Sequence, residues 1–360
     1  MSNFIEEHTI IVSAWLPGGG IEKVIQNLII DDLPFKNIKI LVLSKDLKFN
    51  WYKSINNKIK FVDCFSSKDK SIIKLFINLL KSYFKVREEI NTYKPHNILF
   101  THSFLMPLFF FLNPKSKVLF WPHNNLLTDF NPIKFKIKKL TYKIFKSRIN
   151  GILCVSESIL NEANLIGFDH AKLTYNPIGE NFNNQFVFSP SSNKLVHIGF
   201  LDERKNTSYI IKALSLSSNK DLTLDVIGEG HLMESLKNQV SELGMNNRVF
   251  FKGFLDLSKE LISCSALIMA SKTEGFSMVI SDALKSGIPL ILPENLDISN
   301  FINSDKRGKV FNLNNLNSLR LSLNLIDFKE IDSNEIKNEY INMYGKIAYS
   351  KRISSFINSL

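Results

Sequence analysis

The chain has 360 residues, 44% hydrophobic and 22% charged, with a formal net charge of +11 at pH 7. Domains typically run to ~100–200 residues, so this length reads as two domains with enough apolar material for real cores. The composition excludes a disordered, collagen-like or low-complexity chain, and three widely spaced cysteines, Cys64, Cys154 and Cys264, exclude a disulfide framework or zinc spacing and read as small buried hydrophobes in a reducing compartment.

In chain order, MSNFIEEHTIIVSAW lacks the basic start and small-residue cleavage site of a signal peptide, and its apolar run predicts a first strand at Thr9–Ser13. A glycine turn and a helix near 21–30 follow. Further strands are expected at Ile38–Leu43, Lys60–Val62, Ile98–Thr101, Val118–Trp121 and Ile152–Val155. Helical patterns fall near 71–90, 133–147 and 157–165. The most lipid-like stretch, Phe104 to Leu112, contains Pro107 and falls far short of the ~18 residues of a spanning helix.

Gly179–Lys194, rich in Asn, Ser, Pro and Gly, marks a seam, after which the rhythm restarts. Strands are expected at Leu195–Ile198, Leu222–Ile227, Val249–Lys252, Leu267–Ala270 and Pro289–Leu292, with helices between. The alternation implies an α/β fold of two Rossmann-like, doubly wound domains, 1–185 and 186–335, facing a central cleft. A final helical pattern runs from Ile336 to Leu360. Charge divides unevenly: residues 1–185 hold 25 Lys/Arg against 15 Asp/Glu, and residues 186–360 hold 20 against 19. A basic first half suggests an anionic partner.

Three loops carry chemistry. In LPGGGIEKVIQNLI, Gly18, Gly19 and Gly20 admit a close ligand at a helix start that favours an anion, although the spacing is not that of a dinucleotide fingerprint. In HIGFLDERKNTSYIIKAL, the cations Arg204 and Lys205 follow a strand and open a helix, as phosphate recognition requires or as a solvated charge run would. In SKTEGFSMVISDALKSGIPLIL, Glu274 and Gly275 precede a helix expected to start near Phe276–Ser277. The free amides of that helix start suit a diphosphate. Asp282 lies one turn on, beside Met278, and two carboxylates next to an anion site fit the binding of sugar or ribose hydroxyls. The bland reading of this loop is a cap with a solvated Asp.

The order of motifs resembles a GT-B glycosyltransferase of the large retaining family 4. The resemblance spans nearly the whole chain: the glycine loop, His123 in FWPHNN, VSESI at 155–159 and YNPI at 175–178. It continues through the Lys205 motif, DVIGEG at 225–230, RVFFKGF at 248–254 and the Glu274 loop. It implies an acceptor-side first domain, a donor-binding second domain, and a final helix, about 336–360, that packs back on the first. The reaction implied moves a sugar from a nucleoside diphosphate donor, UDP or GDP, to an acceptor hydroxyl with retained configuration.

By matching position, Lys205 would bind phosphate, Glu274 the donor sugar, and Asp282 the ribose in place of a Glu. Lys205, Glu274 and His123 would form the catalytic set. Gly19 and Gly20 would approach the phosphates, the amides of Phe276, Ser277 and Met278 would hold them, and Gly228, Gly230, Val249 and Gly253 would line the base pocket. His102 and Asn124 join His123 as acceptor-side candidates. Two departures are visible: Phe200 stands where the family commonly has Arg, with Arg204 available to supply that charge, and Asp282 is one methylene short. No cofactor or obligatory metal is implied, because Lys205 and helix amides stabilise the leaving charge. A GT-B epimerase and a non-catalytic nucleotide-sugar binder remain as alternatives.

Residues 133–148 hold seven Lys/Arg and no acid, with Ile133, Ile137, Leu140 and Ile144 at helical spacing. Residues 68–87 form a second basic stretch with one acid. The stripes suit a sheet, whereas the cations predict contact with an anionic membrane surface at about 1 kcal/mol each. The expectation is a cytoplasmic, peripheral, monomeric enzyme with a glycan or lipid-linked acceptor from envelope polysaccharide synthesis and no nucleic-acid partner.

Overall fold

Strand β1 (Thr9–Ser13) is buried at every residue, as befits the middle of a parallel sheet covered on both faces. The structure, a computed structural model, describes residues 5–14, 20–30, 34–44, 58–65, 72–112, 114–127, 132–177, 186–255, 262–302 and 304–360. The chain divides into two units, Met1–Asn181 with Tyr344–Leu360, and Phe182–Met343. Gly18 and Gly19, and part of the expected seam, lie outside the described residues.

The first unit is built from β1, α1 (Gly20–Ile30), β2 (Ile38–Ser44), β3 (Ile59–Phe65), α2 (Ile72–Tyr93), β4 (Asn97–Phe100), α3 (Met106–Leu112), β5 (Lys117–Phe120), α4 (Pro132–Phe145), β6 (Gly151–Cys154), α5 (Glu157–Ile166) and β7 (Ala171–Leu173). Among the described residues its sheet has seven strands, all parallel, in the order β3-β2-β1-β4-β5-β6-β7. The order reverses between β1 and β4, which makes their carboxyl ends a topological switch point. Helix α11 (Lys346–Ser359) completes this unit: Phe356 and Leu360 pack against Gly151, where a side chain would collide with them, and Arg352 Nε donates to the carbonyl of Thr174.

Two motifs of the first unit have local structural reasons. VSESI opens α5, where the Ser156 hydroxyl accepts from the amide of Ile159 and caps the helix start. In YNPI, Tyr175 adopts left-handed backbone (φ 59°) and packs edge-on against Tyr344 at 4.7 Å and under the Arg352 guanidinium at 5.3 Å. Pro177 accepts from Asn27 of α1 through its carbonyl.

The second unit comprises β8 (Phe186–Phe188), β9 (Lys194–Ile198), α6 (Thr207–Leu216), β10 (Thr223–Ile227), α7 (Met233–Glu242), β11 (Val249–Gly253), β12 (Ile262–Cys264), β13 (Ala266–Ile268), α8 (Met278–Lys285), β14 (Leu290–Pro293), β15 (Gly308–Phe311), α9 (Leu316–Leu325) and α10 (Ser333–Tyr344). Six parallel strands run in the order β11-β10-β9-β13-β14-β15, and β12 pairs with β8. Here the switch lies between β9 and β13.

The core of this unit gathers Leu195, Leu224, Val226, Ile268 and Ile291 of the sheet with Ile210, Leu214, Leu319 and Leu323 of the helices. Arg307 is buried and held by Glu335 and Glu339 of α10, with its guanidinium over the Phe301 ring. The Tyr340 hydroxyl of α10 donates to Ser281 of α8 at 2.6 Å.

Several expectations need adjustment. The final helical pattern is two helices, α10 and α11, broken at Gly345. Helix α8 starts at Met278, with Ser277 as its cap. Strands β7, β8, β12 and β15 were not foreseen. The three cysteines are free and buried, and burial pushes the Cys154 and Cys264 thiols up to about 12. Among the described residues, no helix is long and apolar enough to cross a membrane.

Candidate functional site

The second unit brings its chemistry to the switch point. After β9 the chain turns at Gly199 and Phe200, and Asp202 Oδ1 accepts from the backbone amides of Arg204 at 3.1 Å and Lys205 at 2.9 Å. Asn206 then takes left-handed backbone (φ 55°) and α6 begins. This turn sends the Lys205 side chain back across Gly199, where an added Cβ would lie 2.9 Å from Lys205 Cε. After β13 the chain enters the Glu274 loop, pinned to the first loop by the Lys272 amide donating to the Arg204 carbonyl.

The two loops meet in ions. Lys205 Nζ donates to Glu274 Oε1 at 2.6 Å, and Arg204 Nη1 reaches the same oxygen at 3.1 Å. The Lys205 and Glu274 side chains are only 9% and 11% exposed, whereas Arg204 is 45% exposed. Arg204 Nε also lies 4.0 Å from Asp202 Oδ2, so two cations face two carboxylates here, and an incoming anion would compete with those carboxylates for the cations. The Ser277 side chain makes no hydrogen bond to α8, so the first-turn amides face their next acceptor uncapped by it. Asp282 lies on α8 four residues after Met278 and is half-buried.

Beneath this site His197 is fully buried. Its Nδ1 is 3.1 Å from the carbonyl of Ile268 and its Nε2 is 3.0 Å from the Thr207 hydroxyl, so a neutral ring links β13 to the start of α6. Burial, helped by the nearby charge of Lys205, holds the imidazole down at about 4.

The glycines of DVIGEG have a geometric cause. Gly228 has φ 140°, and a Cβ there would sit 1.9 Å from the carbonyl oxygen of Gly199. At Gly230 a Cβ would lie 2.3 Å from the Leu201 oxygen. The two loops are stitched by Gly199 N to the Ile227 carbonyl and Leu201 N to the Glu229 carbonyl, contacts that leave no room for side chains. Gly253 has φ 66° with open space around it, at the carboxyl end of β11. Val249 departs from expectation: it stands at the opposite end of that strand, 4% exposed, and its side chain fills the core because positions 249 and 251 of β11 face inward. Phe200, at the position of the missing Arg, is 57% exposed and 6.4 Å from the His231 ring.

In the first unit, Gly20 opens α1 at the carboxyl end of β1. His102, after β4, accepts at Nδ1 from the amide of Ala14 at 3.4 Å and lies 2.8 Å from the Thr101 hydroxyl, which itself donates to Ser13. The sequels of β1 and β4 therefore meet at this unit's switch point. His123 follows β5, lies with its ring centroid 4.6 Å from that of the buried Trp121 at an interplanar angle of 54°, and keeps an Nε2 with no hydrogen-bond partner among the described residues. Burial, with the neighbouring His102, pushes His123 down to about 3, and burial alone brings His102 to about 4, so both rings are neutral near pH 7. Asn124 beside it is exposed.

Two residues with clear work were not foreseen. Asp202 shapes the Lys205 turn, and Glu162 of α5 accepts from the amides of Leu126 and Leu127, fixing the chain just after His123. Among the described residues, no three His, Cys, Asp or Glu side chains gather as a metal site.

Comparison with known proteins agrees with this arrangement. Residues 180–357 match the family described as glycosyl transferases group 1. An uncharacterized glycosyltransferase of Methanocaldococcus jannaschii is 22% identical over 270 residues, covering 67% of this chain. The chain spans 66% of that protein's length and smaller shares of other curated relatives that it matches. A lipopolysaccharide outer core galactosyltransferase superposes with a TM-score of 0.76 at 19% identity, over 98% of this chain and 99% of the other. An Anabaena protein solved with UDP and glucose gives 0.74 at 14% identity, over 98% and 100%. At these identities the likeness establishes the fold, two Rossmann-like parallel-sheet units of GT-B type.

Proposed function

We propose that this chain, whose residues 180–357 belong to the group 1 glycosyl transferases, moves a sugar from a nucleoside diphosphate donor to an acceptor hydroxyl with retained configuration. The observation that carries the reading is the pairing of Lys205 and Arg204 with Glu274 at the switch point of the second unit. A donor diphosphate offers these cations more negative charge than one carboxylate does. Its arrival would leave Glu274 to accept hydrogen bonds from the donor sugar, while the α8 amides hold phosphate oxygens and Asp282 takes the ribose hydroxyls.

In the reaction the acceptor oxygen forms a bond to the anomeric carbon as the bond from that carbon to the phosphate oxygen breaks. The acceptor proton passes to the leaving diphosphate. Lys205 and the helix amides stabilise the charge that gathers there, so the reading includes no obligatory metal. His123, neutral near pH 7, would bind a sugar or acceptor hydroxyl without carrying a positive charge. A UDP-sugar is the favoured donor, supported by the fold shared with the Anabaena protein that holds UDP and glucose.

An envelope-glycan acceptor is supported by the fold shared with the lipopolysaccharide galactosyltransferase and by the exposed cations Lys136 and Lys143 on α4, which suit an anionic leaflet. The proposed enzyme works as a monomer at the cytoplasmic face of the membrane.

The test is a thermal-shift panel of UDP, GDP, ADP, dTDP and CMP on the wild type and on Lys205→Ala. Stabilisation by one nucleoside diphosphate, lost in the variant, names the base for transfer assays, in which NMR of the product reads the anomeric configuration. No shift with any nucleotide at millimolar concentration would overturn the reading.

A further inference from the structure

We propose that the first unit carries a second anion site, for a small phosphate ester, at the end of its sheet opposite His102 and His123. Four segments converge there: the last turns of α2, the entry to β4, the residues after α3, and the start of β5. They line a half-open cavity of about 800 Å³, within the ~300–1,000 Å³ common for small-molecule pockets. Strand β4 has four residues at about 3.3 Å each, so roughly 13 Å of strand separates this cavity from the His102 end.

The wall carries Arg87, Lys94, Lys115 and Lys117 against a single carboxylate, Glu7. Glu7 is already engaged, its Oε2 accepting from Asn97 Nδ2 at 3.0 Å, and Lys117 Nζ donates to the carbonyl of Ile357. Arg87 meets the Tyr83 hydroxyl at 3.4 Å with its guanidinium 6.0 Å over that ring, and among the described residues no carboxylate pairs with Arg87, Lys94 or Lys115. The dipole of α2 accounts for Lys94, just past the helix end, but not for Arg87 nearly two turns earlier or for Lys115 on another segment. Lys94 is also held in left-handed backbone, φ 48°, a conformation uncommon for lysine.

The remaining wall mixes apolar Ile90, Pro95, Leu112 and Pro114 with polar Asn91, His96 and Ser116. A concave surface with three cations that no described carboxylate pairs with, and apolar patches beside them, fits a phosphate joined to a small carbon body better than a bare ion. Both a soluble phosphate ester and a phospholipid headgroup have that chemistry. The inference does not rest on the glycosyltransferase reading, since none of these residues takes part in it.

The experiment titrates sn-glycerol 3-phosphate calorimetrically and floats the protein with phosphatidylglycerol vesicles in a phosphatidylcholine background. It compares the wild type, Lys94→Glu/Lys115→Glu, and a control with the same charge change on the second unit, Lys212→Glu/Lys329→Glu. Wild type and control should bind at least one probe, and the Lys94/Lys115 variant about tenfold or more weakly. Binding of glycerol 3-phosphate identifies a soluble ester; binding of vesicles alone identifies a headgroup. Absence of binding by the wild type to both probes, or equal loss in both variants, overturns the proposal. If the double variant does not fold by circular dichroism, Lys115→Gln, at an exposed position, carries the same comparison.

Discussion

Lys205 Nζ and Glu274 Oε1 lie 2.6 Å apart with both side chains about nine-tenths buried, so the group assigned to phosphate is already paired within the second unit. An arriving diphosphate must displace that carboxylate. Glu274→Gln removes the competitor while keeping the shape, and nucleoside diphosphate binding by calorimetry should tighten by about tenfold, or about 1.4 kcal/mol. Sugar transfer should fall by about 100-fold, because the amide no longer accepts as a carboxylate does from the donor sugar. Binding that weakens in Glu274→Gln would show that the pair is not in competition with phosphate.

His197 ties stability to pH. Burial holds its pKa at about 4, below the ordinary 6.5. Between those values the unfolded chain takes up a proton that the folded chain refuses. Its contribution is therefore whole above pH 6.5 and is lost as pH falls towards 4, at up to about 1.4 kcal/mol per pH unit. Calorimetric melting between pH 7.5 and 5 should show a steeper decline in the wild type than in His197→Asn, whatever the variant's starting stability. Equal slopes would remove His197 as the cause.

Gly228→Ala should be among the most damaging single-methyl changes in the second unit. Its Cβ would lie 1.9 Å from the Gly199 oxygen, at a φ of 140° that side chains rarely adopt. Overpacking and strained backbone together cost about 2–5 kcal/mol. The melting temperature should drop and nucleotide binding should weaken with it, because Gly199 is the residue across which Lys205 lies. A variant melting within a degree of wild type would show that the two loops can part freely.

The strands most legible in the sequence are those buried on both faces, such as β1 and β14, where apolar residues run together. Strands β7 (Ala171–Leu173) and β15 (Gly308–Phe311) escaped because they are short sheet edges, with Lys172 of the first and Val310 of the second facing outward. The pairing of β8 with β12 joins segments more than seventy residues apart and has no local signal. Within the site, Lys205 and Glu274 were legible because each follows a strand flanking the switch point. Asp202 was not, since in LDERKN it reads as one more solvated charge. Glu162 binds backbone amides about thirty-five residues away, a contact that only the folded first unit reveals.

The seating of α11 on the first unit has a consequence for synthesis. Phe356 against Gly151, Arg352 on Thr174 and Lys117 on Ile357 are contacts that the first unit cannot make until residues 346–360 leave the ribosome. Roughly 160 residues of the second unit intervene, on the order of 10–30 s of translation. Through that interval the first unit waits with β5, β6 and the Tyr175 turn uncovered, and the second unit is complete before its elder neighbour. A chaperone that binds nascent chains would find its surface there, and a truncation that removes α11 should expose it for good.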